Sequence, residues 1–310
     1  MRILVTGGTG MVGKHLKNML PWPESVFVGS RDYDLTDQVQ VEEMFIKYNP
    51  TIVIHLASRV GGIQDNIANP IEFLEDNILM NTNVVKTARD YGVKKFIGLL
   101  STCIYPDNAL SYPMDEGELH DGPPTPTNLG YGYTKRVLGI HLETIRKKTG
   151  LEYFSIIPCN LYSEKDNFED SKKAHFVTAL LKKIKIAVNN GDREIDLLGS
   201  GLPIRQFIHA EDLAKIISMC VGRKIETDFN VAPDESLSIR EISLLALKAT
   251  DNSHLELKFD LDRKKDGQFR KDVSNKLLRD LFPQFEFTEF ETGLSPSING
   301  ELTSVAQLKS

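Results

Sequence analysis

The short, apolar, β-branched run Arg2 to Thr6 passes directly into Gly7, Gly8, Thr9, Gly10, Met11, Val12 and Gly13, and a helical pattern follows from about Met11 to Leu20. A strand, a G-x-x-G-x-x-G turn and a helix in that order constrain the chain more than any other feature, because together they open a parallel βαβ unit. Glycine at these places lets the chain turn tightly, lets backbone N–H groups approach a pyrophosphate, and brings helix against strand. The alternation then continues through Val26 to Gly29, a helix from Val39 to Tyr48, Ile52 to Leu56, and a helix from about Ile71 to Tyr91. It ends with Phe96 to Ser101, a helix around Tyr131 to Lys148, and the strand Tyr153 to Ile157. Parallel strands need such crossovers and bury both faces, so the expected fold is α/β, a doubly wound parallel sheet of Rossmann type.

After Pro158 the pattern changes. A polar loop, Ser163 to Lys173, leads into a helix from His175 to Asn189. A strand near Ile195 to Leu198, a helix Ala210 to Val221, a strand around Asp228 to Val231 and a helix Ile239 to Ala249 follow. With no linker between the halves, the expected organisation is a dinucleotide-binding domain over residues 1–160 with return segments near 190–235. A smaller, interleaved α/β substrate domain spans 161–310. The polar tail after Leu294 is expected to fray.

Charge narrows the partners. Lys and Arg total 37 against 43 Asp and Glu, a net charge of -6, so neither nucleic acid nor a membrane surface is expected to bind, and an anionic ligand must be held by local cations. The chain has no run of apolar residues long enough to span a bilayer, and Met1 to Gly8 enters the glycine turn without an h-region, so no export signal is expected. Cys103, Cys159 and Cys220 are too few and too scattered for a disulfide framework or a metal site, and the expected location is cytoplasmic.

Three groups of residues carry chemistry. At the end of the second strand stand Ser30 and Arg31, where an acidic residue would accept from a ribose 2′-hydroxyl; a hydroxyl and a guanidinium suit a 2′-phosphate instead, so the expected cofactor is NADPH. Pairing of Arg31 with nearby Asp32 or Asp34 is the alternative. Ser101, Thr102 and Cys103 follow a buried strand, at the carboxyl end where open α/β sheets place their chemistry. Tyr131 and Lys135 are one helical turn apart and share a face, although Tyr133 competes with Tyr131. An ammonium beside a tyrosine favours its phenolate and lowers its pKa, and Ser101 would polarise the same carbonyl oxygen.

Taken with the glycine turn, this set resembles the extended short-chain dehydrogenase/reductase superfamily, whose catalytic residues are Ser/Thr, Tyr and Lys. STCIYP (Ser101 to Pro106), PTNLGYGYTKR (Pro126 to Arg136) and HLASRVGGI (His55 to Ile63) are similar to the GDP-L-fucose synthase family. So are PCNLY with DNF (Pro158 to Tyr162, Asp166 to Phe168), GSGLPIRQFIHAEDLA (Gly199 to Ala214) and KKDGQFRKDVSN (Lys264 to Asn275). The similar stretches run roughly from Met1 to Phe287.

The resemblance implies reduction of the C4 keto group of GDP-4-keto-6-deoxy-D-mannose by Ser101, Tyr131 and Lys135 with NADPH, after epimerisation at C3 and C5 by Cys103 and His175. A thiolate and an imidazole titrate near enough to neutrality to divide that work. It further implies cofactor contacts at Gly7 through Gly13, Ser30, Arg31, Leu56, Ala57, Lys135, Pro158, Asn160, Leu161 and His175, and substrate contacts at Lys183, Leu198, Arg205 and Lys265. His209 reads as structural. Departures are Ser163, Glu164 and Lys165, where the family usually has Gly-Pro-His, and Leu198, where it commonly has tryptophan. A homodimer built from the Ile71 to Tyr91 and Tyr131 to Lys148 helices is also implied. The alternatives are a nucleotide-sugar C4 reductase without epimerisation, a 4-epimerase or 4,6-dehydratase of the same fold, and a non-catalytic NADP sensor.

Overall fold

In the computed structural model, which describes residues 1–166 and 175–294, strand β1 (Ile3–Thr6) is wholly buried between β2 (Ser25–Val28) and β3 (Ile52–His55) and runs parallel to both. Helix α1 (Met11–Leu16) crosses from β1 to β2, and α2 (Gln38–Tyr48) from β2 to β3. The Asp37 carboxylate caps α2 by accepting from the Val39 N–H, and Asn49 closes it in the left-handed region. Helices α3 (Ile63–Ala68) and α4 (Pro70–Asp90) lead to β4 (Lys95–Leu99), and α5 (Leu129–Thr149) leads to β5 (Glu152–Pro158).

Beyond β5 come β6 (Asn160–Tyr162), α6 (Phe176–Asn190), β7 (Glu194–Leu197), β8 (Ile204–Arg205), β9 (Phe207–His209) and α7 (Ala210–Gly222). The chain then forms β10 (Phe229–Val231), β11 (Leu237–Ser238), α8 (Ile239–Ala249), β12 (Glu256–Phe259) and α9 (Lys276–Leu281). Only β10 of these returns to the large sheet, giving the six-stranded order β10-β5-β4-β3-β1-β2 with every pair parallel. The order reverses direction beside β1, and the crevice above β1 and β3 is the switch point at which open α/β sheets receive ligands.

The core follows from the strand sequences. Leu4, Val5, Val53, Ile54, Phe96, Phe154 and Ile156 are fully buried, each contributing roughly 1.5–3 kcal/mol of apolar burial. Gly98 of β4 has a packing reason: a Cβ there would lie 2.5 Å from Leu142 Cδ1, so its absence lets α5 sit close on the strand that leads to Ser101. A second, smaller core gathers Tyr162, Leu180, Ile184, Ile195, Ile242, Leu247 and Phe290.

Several local expectations change. The first helix stops at Leu16 rather than near Leu20, and the chain turns just before Pro21 and Pro23, which cannot continue a helix. The strand near Ile195 does not enter the large sheet; it pairs with β12, which the sequence pattern did not indicate. Strands β6, β8, β9 and β11 are only two or three residues long, too short to show a period of two. The tail after Leu294 and Asn167 and Phe168 of the DNF segment lie outside the described residues.

Candidate active site

Backbone geometry builds the glycine cradle. Gly7 takes a φ of 71°, and a Cβ on it would lie 2.6 Å from the Ala57 nitrogen, so the turn after β1 closes directly on the segment after β3. A Cβ on Gly13 would lie 2.4 Å from the Gly8 carbonyl oxygen, which seats α1 on the turn. Gly10 differs, since its nearest neighbour would be the Gly7 oxygen at 3.2 Å. Leu56 donates its N–H to Thr6 at 3.0 Å. A turn closed this tightly at Gly7 and Gly13, with less crowding at Gly10, fits a dinucleotide pyrophosphate.

Ser30 and Arg31 are exposed just after β2. The alternative partners of Arg31 are engaged elsewhere: Asp32 accepts from the Gly29 N–H at 2.7 Å, and Asp34 accepts from the Thr36 N–H at 2.9 Å and hydroxyl at 2.7 Å. Among the described residues Arg31 has no ion pair. Pro158 ends β5 and Asn160 opens β6, its side chain donating to the Gln206 carbonyl at 2.8 Å, with Leu161 half-buried beside it.

Ser101, the first residue beyond β4 and Leu100, accepts from the Cys103 N–H at 3.3 Å and so starts the single turn Thr102–Ile104. Arg136 clamps that turn to α5, donating to the Ile104 carbonyl at 2.6 Å and the Gly122 carbonyl at 2.7 Å. Gly132 admits the contact, because a Cβ there would lie 3.0 Å from the Cys103 oxygen. Lys135 is 2 % exposed, donates to the Leu99 carbonyl at 2.8 Å, and holds its Nζ 5.8 Å from the centre of the Tyr131 ring. Tyr133 is exposed beneath the Arg136 guanidinium and faces away from this group. Of the two tyrosines, Tyr131 is the one beside Lys135.

Electrostatics correct one expectation. Burial pushes the Lys135 ammonium down to about 7. Burial, and then the charge on Cys103, hold the Tyr131 hydroxyl above its ordinary value, with a hydrogen bond from Ser58 opposing them. Tyr131 is thus a phenol, able to give a proton, rather than a phenolate. Spacing alone could not reveal this, because desolvation depends on what covers the helix face.

Cys103 is half-buried, and Lys271 donates to its Sγ at 2.9 Å. Burial pushes the thiol up, but Lys271, the Ser101 hydroxyl and Arg205 outweigh it and leave the thiol below its usual range. Sequence reasoning missed Lys271. The signal was the basic KKDGQFRK loop, in which only Lys265 was singled out, for the substrate; Lys265 is exposed and paired with Asp260 at 2.6 Å. Ser58, which donates to Asn77 Oδ1 at 2.7 Å, was also missed.

His175 immediately precedes α6. Its Nδ1 lies 3.1 Å from Asp166, whose carboxylate is 5 % exposed and also takes the Thr178 hydroxyl at 2.5 Å. A carboxylate at Nδ1 requires the proton there and leaves Nε2 for other work. Arg205 is half-buried, its guanidinium pushed down to about 10 by burial and donating to the Gln268 carbonyl at 2.5 Å and its own neighbour Ile204 at 2.8 Å. Lys183 is exposed and donates to the Asp196 carbonyl at 2.6 Å, while Leu198 is 54 % exposed.

The departing loop folds over α1. Ser163 Oγ lies 2.8 Å from His15 Nε2, and Glu164 Oε2 lies 3.1 Å from His209 Nε2. His15, Glu164 and His209 resemble a metal ligand set. However, Lys165 Nζ at 3.1 Å from His15 Nδ1 and the Glu211 N–H at 3.3 Å from His209 Nδ1 occupy both Nδ1 lone pairs. Both Nε2 atoms then carry hydrogens, and the cluster is a hydrogen-bonded clasp.

The NAD dependent epimerase/dehydratase family model matches residues 3–232. The chain is 37% identical to a probable GDP-L-fucose synthase of Drosophila melanogaster over 99% of both chains, and 32% identical to a GDP-L-colitose synthase of Yersinia pseudotuberculosis, covering 95% of this chain and 96% of that one. Its fold superimposes on the crystal structure of a GDP-L-fucose synthetase from Naegleria fowleri bound to NADP with a TM-score of 0.88 and 34% identity, over 98% of this chain and 93% of that one. Sharing this identity across its length and carrying the glycine cradle with the Ser101, Tyr131 and Lys135 set, the chain belongs to the GDP-L-fucose synthase family of the NAD dependent epimerases and dehydratases.

Proposed function

We propose that the chain is an NADPH-dependent epimerase and reductase that converts GDP-4-keto-6-deoxy-D-mannose to GDP-L-fucose. The observation that carries this reading is that one turn, Ser101 to Ile104, clamped to α5 by Arg136, presents a carbonyl-polarising hydroxyl and an activated thiol beside Tyr131. A C4 reductase needs the first and has no use for the second.

Carbons flanking a ketone lose protons as enolates. Cys103 is suited to take such a proton and His175, with Nδ1 engaged by Asp166, to return one from the other face through Nε2. Ser101 and Tyr131 hold the C4 oxygen and stabilise the enolate charge there. Bound in the crevice between the Gly7–Gly13 turn and Arg31, NADPH would supply the hydride for C4. Tyr131 gives the proton to the resulting alkoxide. Lys135, anchored on Leu99, keeps positive charge under the Tyr131 ring as that proton leaves. Arg205, with Lys183 and Lys265 as further cations, is assigned to the diphosphate.

Two statements about assembly belong to this reading. Ile71, Leu74, Ile78 and Leu79 on α4 and Leu129, Val137 and Ile140 on α5 are exposed apolar side chains that recur at helical spacing on adjacent helices, which supports a two-fold homodimer. The three cysteines are free thiols, which supports a reducing, cytoplasmic location. No helix among the described residues is long and apolar enough to cross a membrane.

The test is incubation with GDP-4-keto-6-deoxy-D-mannose and NADPH in deuterated water, with NMR of the product. A reduced sugar inverted and deuterated at C3 and C5 is expected. Reduction with retained configuration would replace this reading with a simple C4 reductase. Sedimentation should give a dimer mass, and a concentration-independent monomer would remove the assembly.

A further inference from the structure

Lys271, which touches Cys103, is far from it in sequence, and the surrounding contacts show how it is delivered. The Gln268 side chain donates to the Pro106 carbonyl at 2.8 Å, docking its loop on the STCIYP segment. The Gln206 side chain, buried, accepts from the Val273 N–H at 2.8 Å and donates to the Val273 carbonyl at 3.2 Å. Residues 268–273 are thereby fastened to the strand end that carries Arg205. Lys271 itself is 8 % exposed. Its neighbour Asp272 is taken by Arg270 at 2.7 Å, and Asp266 by the Ser200 N–H at 2.6 Å and hydroxyl at 2.7 Å.

Around the sulfur stand Lys271 from this loop, Arg205 from β8, the Ser101 hydroxyl from the end of β4, and Tyr131 from α5. Cys159, after β5, also feels Lys271. Among the described residues, the charged side chains acting most strongly on the thiol, Lys271 and Arg205, are both cations. In a site shielded from water an ammonium in contact with sulfur favours the thiolate strongly.

We propose that Lys271 is the positioning residue that holds Cys103 as a thiolate in the resting enzyme, so that the sulfur is ready to accept a proton from the carbon beside the C4 ketone. The inference rests on the epimerase reading above. In that step the C–H bond breaks, its electron pair passes to the C4 oxygen as an enolate, and the proton forms the S–H bond. Lys271 then faces a neutral thiol and keeps its own protons. Loss of the thiol proton to water restores the pair.

The thiolate can be read without turnover, from its ultraviolet absorbance and from the rate of iodoacetamide alkylation as pH is varied. Burial pushes Cys159 up out of range and Cys220 up to about 12, so the signal near neutrality belongs to Cys103, and Cys103→Ser should abolish it. The wild-type midpoint is expected below the ordinary 9.0 of a thiol. Lys271→Met should raise it by about one unit or more, roughly a tenfold loss of thiolate and of alkylation rate at neutral pH. Lys271→Arg should restore most of it, which a merely structural role would not predict. A wild-type midpoint at or above that of a free thiol, or a midpoint unmoved in a folded, NADPH-binding Lys271→Met, overturns the proposal. Failure of the epimerase reading shows differently, as unchanged deuterium exchange in Cys103→Ser alongside a lowered wild-type thiol midpoint.

Discussion

Lys135 Nζ lies 2.8 Å from the carbonyl oxygen of Leu99, so the helix that carries Tyr131 is pinned to the strand end that delivers Ser101. One hydrogen bond thus sets the spacing between the two groups assigned to the C4 oxygen. Arg136 repeats the arrangement one residue later at the Ile104 carbonyl and includes Cys103 in the same frame. Reduction and epimerisation are assigned to side chains on this shared support, yet they should fail separately.

Tyr131→Phe removes only the hydroxyl that protonates the C4 oxygen. Hydride transfer should fall by the ~10²–10⁴-fold typical of one general acid, while solvent deuterium still enters C3 and C5. Cys103→Ser should give the reverse: slowed exchange, unchanged NADPH binding, and residual reduction to an unepimerised sugar. Stopped-flow absorbance of NADPH and NMR of the sugar measure the two arms. Equal loss of both activities in either variant would contradict the division of labour.

Arg31 is exposed, without an ion pair among the described residues, beside a turn whose acidic residues are already hydrogen-bonded. Arg31→Ala should weaken NADPH by roughly 1.5–3 kcal/mol, the range for a hydrogen bond to a charged group, and leave NADH nearly unaffected. Fluorescence titration with each cofactor gives the ratio. Equal weakening would mean that Arg31 does not read the 2′-phosphate.

Gly7→Ala places a Cβ 2.6 Å from the Ala57 backbone nitrogen at a φ of 71°. Neither side can yield without moving a buried strand end, so a loss of about 1–3 kcal/mol in stability is expected. NADPH binding should fall with it. Urea unfolding and cofactor fluorescence should decline together, and a variant of wild-type stability would show that the turn is not closed on Ala57.

Acid should destabilise the fold through its buried histidines. His55, hydrogen-bonded to Thr6 and Asn81, is lowered from 6.5 to about 4 by burial and then by the Lys135 charge, and His15 is lowered to about 4 mainly by burial. Between these values the unfolded chain binds protons that the folded one refuses, so stability rises with pH and falls as pH drops through the window. For a fully buried group such as His55 the loss is about 3 kcal/mol. His55→Gln should be less stable at pH 7 but should lose less on acidification, which urea unfolding at several pH values would show. An unchanged slope would point to other groups.

How much of this was legible in the sequence depends on the range of the interaction concerned. Local patterns settled the parallel α/β sheet, the glycine turn, and the helix that carries Tyr131 and Lys135, because strand burial, backbone freedom at glycine and helical periodicity act over a few residues. Motif spacing also placed Ser101 and Cys103 at a strand end. Long-range contacts decided the rest. Spacing to Lys135 already favoured Tyr131 over Tyr133, and the structure adds that Tyr133 is exposed while Lys135 holds its Nζ near the Tyr131 ring. Desolvation raises the proton affinity of Tyr131 where the neighbouring lysine alone would lower it, since burial is a property of everything packed around a group. Lys265 and Lys271 belong to one basic loop, and only the docking of Gln268 and Val273 on Pro106 and Gln206 brings the second of them, from far along the chain, to the sulfur of Cys103.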